Sequence, residues 1–597
     1  MIKQLLQDYV SDLTGRNDIV IDVPPNPEMG DYSCAVAFQM AKEQRRNPLE
    51  VARELIAAME RSRPRLVERI TNAGPYINFF VDGEAFAREA LGTILSQDRG
   101  YGTLPPTGKR VIVEHTSVNP NKPLHMGGAR NSILGDSVAR LLRAAGYEVE
   151  VENYIDDLGI QFAEVFWGIL QFGDTPEEKY DHFLGKLYIR VHETLTPELE
   201  GEIKRLNKEM EDPSSPHSAM ARAIVERCVM AQLSSLKTLG IGFDILVWES
   251  DIVHAGLFDE TFELLGESED IVTEDDGPLT GCLVMKLGRV FPNMTNPDKV
   301  LIRSDGTPTY TAKDIALQMW KFGLLSRTLL YRTWDGTTMT SDNDGEPMDF
   351  GNADMVINVI GSEQSYPQEV VKRSLKLLGF DEQSEQSHHL AYEFVTLPDD
   401  SFSGRRGTWI GYTLDDVLSA GRAKALEAVT QRRSELTDDE RGRIADVISA
   451  GSIRYNIARY APEKKIVFRW DDALNLEGDS CPYVEYAHAR CCAILRKAAG
   501  TYDHAACTFS YTHPKEWELV KALSEYPDVI ASAAADKRPH YVTKYVNDIS
   551  LKFNSFYNDL LVIGSDNEAN RLALVDATRT VLANALRVLG IEPLEEM

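Results

Sequence analysis

Val111-Ile112-Val113-Glu114-His115-Thr116-Ser117-Val118-Asn119-Pro120-Asn121-Lys122-Pro123-Leu124-His125-Met126-Gly127-Gly128 opens on a short continuous apolar run, read as a strand. A polar loop with Pro120 and Pro123 follows. Beyond it Ile133, Leu134, Val138, Leu141, Leu142 and Ala145 recur on one face of a predicted helix, which Gly146 stops. Tyr147 to Tyr154 is the next strand candidate. Strand, loop, helix and strand in this order make a βαβ unit, which implies a parallel sheet with a ligand crevice at the carboxyl ends of its strands.

On the amino-terminal side, helical and strand-like patterns alternate as far as Tyr76-Ile77-Asn78-Phe79-Phe80-Val81, an alternating aromatic and apolar run typical of a strand. A Gly/Pro/Thr stretch from Gly102 to Gly108 then marks a boundary. On the carboxyl side, Thr175 to Leu239 is charged and helical and reads as an insertion into the α/β unit. The sheet resumes at Val356-Ile357-Asn358-Val359-Ile360-Gly361. Between them Trp334 to Asn352, rich in Asp, Thr and Gly, is expected as an exposed loop. From Leu414 onward the pattern is nearly all helix.

The 597 residues allow roughly three or four domains, and 43% apolar content is ordinary for packed cores. No window approaches the ~18 uninterrupted apolar residues of a membrane helix. Met1-Ile2-Lys3-Gln4 runs straight into an amphipathic stretch instead of a signal peptide, so a cytoplasmic location is expected. The seven cysteines are scattered without CxxC spacing and read as reduced structural thiols. A net charge of -29 argues against indiscriminate coating of nucleic acid, which needs cations to displace counterions, but leaves room for a locally basic RNA face.

Two segments carry phosphate chemistry. At His125-Met126-Gly127-Gly128 the predicted helix start offers unpaired N–H groups, and the glycines allow a nucleotide close to the backbone. His125 can donate to a phosphate oxygen there and Lys122 can add charge. The second segment, Ser403-Gly404-Arg405-Arg406-Gly407, is a small-residue basic loop suited to clamping a triphosphate. Alone, the first fits a plain structural turn better, and exposed Arg-rich turns like the second are common.

Together they resemble the two signature motifs of the class I aminoacyl-tRNA synthetases, and the wider wording is similar to the arginyl-tRNA synthetase family. The matching stretches are Glu114 to His125, Arg130-Asn131 to Asp136, Asn153-Tyr154 to Gly159, Leu301 to Ala316, Pro482-Tyr483 to Arg490, and the closing Leu589 to Met597. They span essentially the whole chain, in the family's order. The sequence departs from the pattern at Gly128, where His is usual, and at Ser401, Phe402 and Arg405, where Lys, Met and Lys are usual. Lys122 occupies the place of an upstream lysine thought to compensate.

The resemblance implies an α/β plus α architecture. An N-terminal α+β domain that touches the tRNA elbow would cover residues 1–105, and a Rossmann-like catalytic domain 106–413, with a helical insertion at about 170–240. A helical anticodon-binding domain would cover 414–597. It further implies that Lys122, His125, Gly127, Gly128, Ser403 and Arg405 bind ATP, and that Glu114, Asn119, Glu249, Tyr310, Asp314 and Gln364 bind arginine. Tyr76 and Asn78 would touch the tRNA elbow, and Tyr483, Tyr486, Tyr557 and Met597 the anticodon loop, where the tyrosines suit base stacking.

Arginine's guanidinium is a permanently charged fork of donors, so carboxylates are required; Tyr310 and Asp314, four apart, share a helix face. Without the resemblance, Asp314 reads as a surface residue and Tyr310 as core. The implied reaction joins arginine to ATP and then to tRNA(Arg). Mg²⁺ is expected to travel with the ATP phosphates, without a tightly bound protein metal. No membrane contact is expected, and the enzyme is expected to be a monomer. Two other readings share these residues. A sister synthetase or nucleotidyltransferase is separated by arginine-dependent ATP–pyrophosphate exchange, and a non-catalytic RNA-binding paralogue by tRNA binding without charging.

Overall fold

The computed structural model describes residues 2–289, 297–306, 308–396, 407–473, 478–498 and 507–597, with Met294, Asn475, Asp503 and Ala505. The first hundred residues form a four-stranded antiparallel sheet: β1 (Ile21–Asp22), β2 (Tyr32–Cys34), β3 (Val67–Ala73) and β4 (Tyr76–Val81), in the order β1-β2-β4-β3. On β4 the predicted alternation buries Ile77, Phe79 and Val81. Asn78 is buried too, because Ser33 of β2 and Thr71 of β3 flank it in register.

The apolar run Val111–Val113 lies in β5 (Arg110–Glu114), and all three residues are fully buried. It sits inside a seven-stranded sheet with β6 (Glu148–Ile155) and β7 (Ile245–Trp248). A separate three-stranded antiparallel sheet follows: β8 (Ile271–Thr273), β9 (Leu283–Met285) and β10 (Lys299–Ile302). The chain then returns through β11 (Tyr331–Thr333), β12 (Met339–Ser341), β13 (Met355–Gly361) and β14 (Ser387–Tyr392). The large sheet runs β11-β12-β7-β6-β5-β13-β14, parallel except for β11 at the edge. Successive strands depart from β5 in opposite directions, so a ligand crevice opens at the carboxyl ends of β5 and β13.

Part of Trp334–Asn352 departs from the expected exposed loop, because Met339–Ser341 is a strand of this sheet with Thr340 and Ser341 buried. Their polarity suggests a loop, but Trp248 satisfies them. Its indole Nε1 donates to Thr340 Oγ1 at 2.7 Å and its backbone N–H to Ser341 Oγ at 3.1 Å. The helical insertion is as expected, with helices Tyr180–Glu193, Pro197–Glu211 and Pro216–Thr238 between β6 and β7. Thr196 and Ser215 cap the last two, each followed by proline in the first turn where no N–H is missed.

Helices dominate the carboxyl third, where Leu414–Arg432 and Asp438–Ala458 each start on a capping box, Thr413 with Asp416 and Thr437 with Glu440. This body packs on the Met126–Ala144 helix. The sequence shows one apolar face there, yet Arg130, Asn131, Ser132, Asp136 and Ser137 are buried as well. Asp136 pairs with Arg454, which is 1% exposed and also donates to the Leu589 carbonyl at 2.8 Å and the Leu239 carbonyl at 2.9 Å. Gly590 makes room for that guanidinium, since a Cβ there would lie 2.0 Å from it. All seven cysteines are free. Among the described residues no helix is long and apolar enough to cross a membrane.

Candidate active site

The chain leaves β5 through a strained turn. Thr116 (φ 76°) and Ser117 (φ 41°) are non-glycine residues at positive φ, a conformation that costs about 1–3 kcal/mol each and persists only where the surroundings over-determine it. The surroundings do so here. Asn131 Oδ1 accepts from Thr116 N at 2.6 Å, Asn153 Oδ1 accepts from Ser117 N at 3.0 Å, and Thr116 Oγ1 donates to Ser132 Oγ at 2.8 Å. Gly135 lets the following helix press on this turn, for a Cβ there would meet His115 at 2.3 Å.

The polar loop then ends at His125, which caps the Met126–Ala144 helix. Its Nδ1 accepts from Gly127 N at 3.0 Å and from Gly128 N at 3.4 Å. Nδ1 as acceptor leaves the ring proton on Nε2. Burial, reinforced by Lys122, lowers the imidazole pKa to about 3, so the ring is neutral. At Gly128 a Cβ would stand 3.2 Å from Leu124 and 3.4 Å from Val118, so the loop is closed tightly where the usual signature carries a larger residue. Burial brings Lys122 down to about 8, and its ammonium donates to Asn121 Oδ1 at 3.0 Å. Ser403 and Arg405, like Ser401 and Phe402, lie outside the described residues. The chain just past them is stitched to the first loop: Leu414 N donates to the Leu124 carbonyl at 2.7 Å and Met126 N to the Tyr412 carbonyl at 3.3 Å.

Glu114, Glu249, Tyr310 and Asp314 converge beside the turn. Glu114 ends β5, Glu249 starts the helix after β7, and Tyr310 and Asp314 lie on the helix Tyr310–Lys321. Glu249 is 1% exposed and accepts from the Tyr154 hydroxyl and the Lys313 ammonium. Tyr310 is 56% exposed at the rim. Asp314 has no hydrogen bond or ion pair among the described residues. Its withdrawal from solvent, then the charges of Glu114 and Glu249, push its carboxyl up to about 7. Asn119 donates to Gln161 Oε1 at 3.0 Å, and Gln364 is exposed at the end of the short turn after β13.

Residues outside the sequence-based set complete the group. Burial and the Glu249 charge raise Asp156 to about 8, Glu152 is held well above the usual carboxylate range mainly by burial, and Lys313 and Lys321 supply the cations. Carboxyl groups therefore outnumber cations, which suits a guanidinium. One signal was available: Glu148, Glu150 and Glu152 alternate along β6, and acidic residues at period two in a central parallel strand need buried partners.

Tyr483, Tyr486 and Met597 line one cleft of about 570 Å³ with Ala425, Val429 and Arg432. Tyr557 joins them through Arg490, whose guanidinium lies 4.6 Å from the Tyr486 ring and 5.0 Å from the Tyr557 ring. Arg490 also donates to Asn554 Oδ1 at 2.7 Å, and Asn554 donates to the Tyr483 hydroxyl at 3.0 Å. At the amino-terminal end Tyr76 is 49% exposed and edge-on to Phe38 at 5.1 Å. Asn78 is only 3% exposed, so that face presents the Tyr76 and Phe38 rings without the Asn78 amide.

A parallel sheet with this crevice and a His-capped helix at its mouth is the catalytic architecture of a class I aminoacyl-tRNA synthetase. Residues 90–331 and 328–470 match the family described as "tRNA synthetases class I (R), catalytic domain". Residues 1–81 match "Arginyl tRNA synthetase N terminal domain", and 484–597 match "DALR anticodon binding domain". The arginine–tRNA ligase of Thermococcus sibiricus is 44% identical, over 100% of this chain and 99% of its own. That of Pyrococcus abyssi is also 44% identical, over 98% and 96%. The solved Thermus thermophilus arginyl-tRNA synthetase superposes with a TM-score of 0.87 at 36% identity, covering 100% of both chains. The chain belongs to the arginyl-tRNA synthetase family.

Proposed function

We propose that this arginine–tRNA ligase binds the guanidinium of its substrate between Asp314, Glu249 and Tyr310, and the α-amino end near Glu114 and Asn119, with Gln364 at the rim. The single observation that carries this reading is Asp314, a carboxyl at the switch-point crevice in no direct ion pair among the described residues, while Glu249 is paired with Lys313. ATP lies along the His125 loop. Its α-phosphorus is attacked by the arginine carboxylate, pyrophosphate leaves, and the terminal ribose hydroxyl of tRNA then takes the arginyl group and releases AMP.

In this reading the protein works by in-line positioning and by stabilising charge on the phosphates. His125 Nε2–H and Lys122 face them, Gly127 and Gly128 give them room, and Ser403 and Arg405 act from the second signature segment. Mg²⁺ would accompany the phosphates and offset their charge. The three-residue ligand group found among the described residues, Asp181, His182 and Asp415, fits a resident ion poorly, because the Asp415 carboxylate already accepts from Lys179 at 2.8 Å and contacts His182 at 2.9 Å.

We assign the anticodon loop to the Tyr483, Tyr486, Tyr557 and Met597 cleft, and the tRNA elbow to the Tyr76 face with Asn78 beneath it. The parts 1–105, 106–413 and 414–597 then serve elbow, catalysis and anticodon within one cytoplasmic monomer. Charging of total tRNA with purified arginine and ATP tests the reading directly, and failure to charge would leave only RNA binding. Tyr486→Ala should raise KM for tRNA by about tenfold, since stacking one base on an aromatic ring contributes roughly 1–3 kcal/mol. An unchanged KM would take the cleft out of the tRNA interface.

Arginine binding should also release protons. In the empty site at neutral pH Asp156, at about 8, is mostly protonated and Asp314, at about 7, is protonated in about half the molecules, and both must ionise beside a guanidinium. Affinity therefore rises with pH, by roughly tenfold between about pH 6 and 8 if Asp314 dominates. Because both values lie above the ordinary carboxylate range, the arginine-free fold loses stability as pH rises from about 4 to 8. Calorimetric titration with arginine in buffers of different ionisation enthalpy checks this, and a heat independent of buffer would refute it.

A further inference from the structure

Three neighbouring strands place a polar side chain at the same level beneath the crevice: Glu152 on β6, Glu114 on β5 and Asn358 on β13. All three are buried, at 1%, 7% and 4% exposure, and one cation serves them. Lys321, the last residue of the Tyr310–Lys321 helix and itself 1% exposed, donates to Glu114 Oε2 and to Asn358 Oδ1 at 3.2 Å, and lies 3.4 Å from Glu152 Oε2. The far oxygen of Glu114, Oε1, accepts from Ser117 Oγ in the strained turn at 3.0 Å.

The network continues away from the site. Asn358 Nδ2 donates to Gln318 Oε1 at 3.0 Å and to Gln368 Oε1 at 3.1 Å, and Gln318 Nε2 donates to Ser387 Oγ at 3.0 Å. Glu150, next along β6, is held by Arg110 at 2.6 Å. A buried lysine among carboxylates is a poor stabiliser, because desolvating the charges offsets most of their attraction and an apolar side chain often serves as well. Its cost is explained if the geometry it imposes is used. Lys321 and Ser117 grip opposite oxygens of Glu114, so the carboxylate plane cannot rotate.

We propose that Lys321 is a positioning residue for arginine: without touching the substrate, it fixes the Glu114 carboxylate in the orientation that receives the α-ammonium group. This rests on the placement of Glu114 in the arginine pocket. Asn358, Gln318 and Gln368 form the amide chain that fixes the ammonium in turn.

The test is a double-mutant cycle on the full-length enzyme with tRNA, using Lys321→Met, Glu114→Gln and the pair, with KM for arginine and for ATP measured separately. Lys321→Met should raise the arginine KM by about tenfold or more and leave the ATP KM within about twofold, a split that general loss of packing would not produce. The pair should be no worse than Glu114→Gln alone, because Lys321 acts through that carboxylate. Multiplied losses in the pair, or equal rises for both substrates, overturn the proposal. If Glu114→Gln impairs arginine binding and Lys321→Met does not, the proposal fails while the pocket stands. If Glu114→Gln leaves the arginine KM unchanged, the placement of Glu114 fails and the proposal with it. Should Lys321→Met not fold, Asn358→Ala keeps the charge and removes one acceptor. It should raise the arginine KM by about threefold at constant ATP KM, and no change overturns the proposal.

Discussion

Asp314→Ala is expected to lower kcat/KM for arginine by about two to three and a half orders of magnitude, with little change in the KM for ATP. The size follows from the cost of stranding a buried charge, ~3–5 kcal/mol, at about 1.4 kcal/mol per factor of ten. In the complex the stranded group is the guanidinium, whose other carboxylate, Glu249, is already engaged by Tyr154 and Lys313. The empty protein should respond in the opposite sense. Asp314 is crowded by Glu114 and Glu249, so its removal relieves repulsion, and thermal unfolding without arginine should not move downward. An effect on kcat/KM below about tenfold would take Asp314 out of the pocket. The same chemistry predicts rejection of citrulline: an uncharged analogue leaves the pocket's carboxyl groups unpaired, so discrimination needs no editing site.

His125→Ala should depress kcat by about 10²–10³-fold with little change in arginine affinity, the range found when one donor to developing charge is removed. The structure adds a control, because the helix cap made by His125 is separable from its proposed phosphate contact. Its Nδ1 caps the helix through Gly127 and Gly128, and losing a cap alone costs about 0.5–2 kcal/mol. Asparagine can accept the same backbone bonds but does not extend a donor to the Nε2 position. His125→Asn should therefore recover thermal stability without recovering kcat. Recovery of both would make His125 a cap only, and a raised arginine KM with normal kcat would reassign it to the amino-acid pocket.

Sequence and structure agree best where chemistry repeats with a short period. The apolar run of β5, the loop with two prolines and the helix ending at Gly146 are local signals, and each element forms where its pattern predicts. Reading failed where polarity was satisfied from a distance. Thr340 and Ser341 look like loop residues until Trp248 hydrogen-bonds both, and Asn78 looks presentable until the neighbouring strands cover it. Asp136 lies opposite the apolar face of its helix, yet it is buried there against Arg454 of the carboxyl-terminal helices.

The residue order alone was enough to establish the α/β core, the helical carboxyl third, the family and the residue types that a guanidinium and a triphosphate require. Which charges face one another was decided only by the fold. Glu114, Glu152 and Asn358 come from three strands and Lys321 from a helix, and sheet register sets them at one level. Lys313 pairs with Glu249 and not with Asp314, although Lys313 and Asp314 are adjacent in the chain. Electrostatic interaction depends on separation in space and on removal from water, and neither is carried by sequence distance.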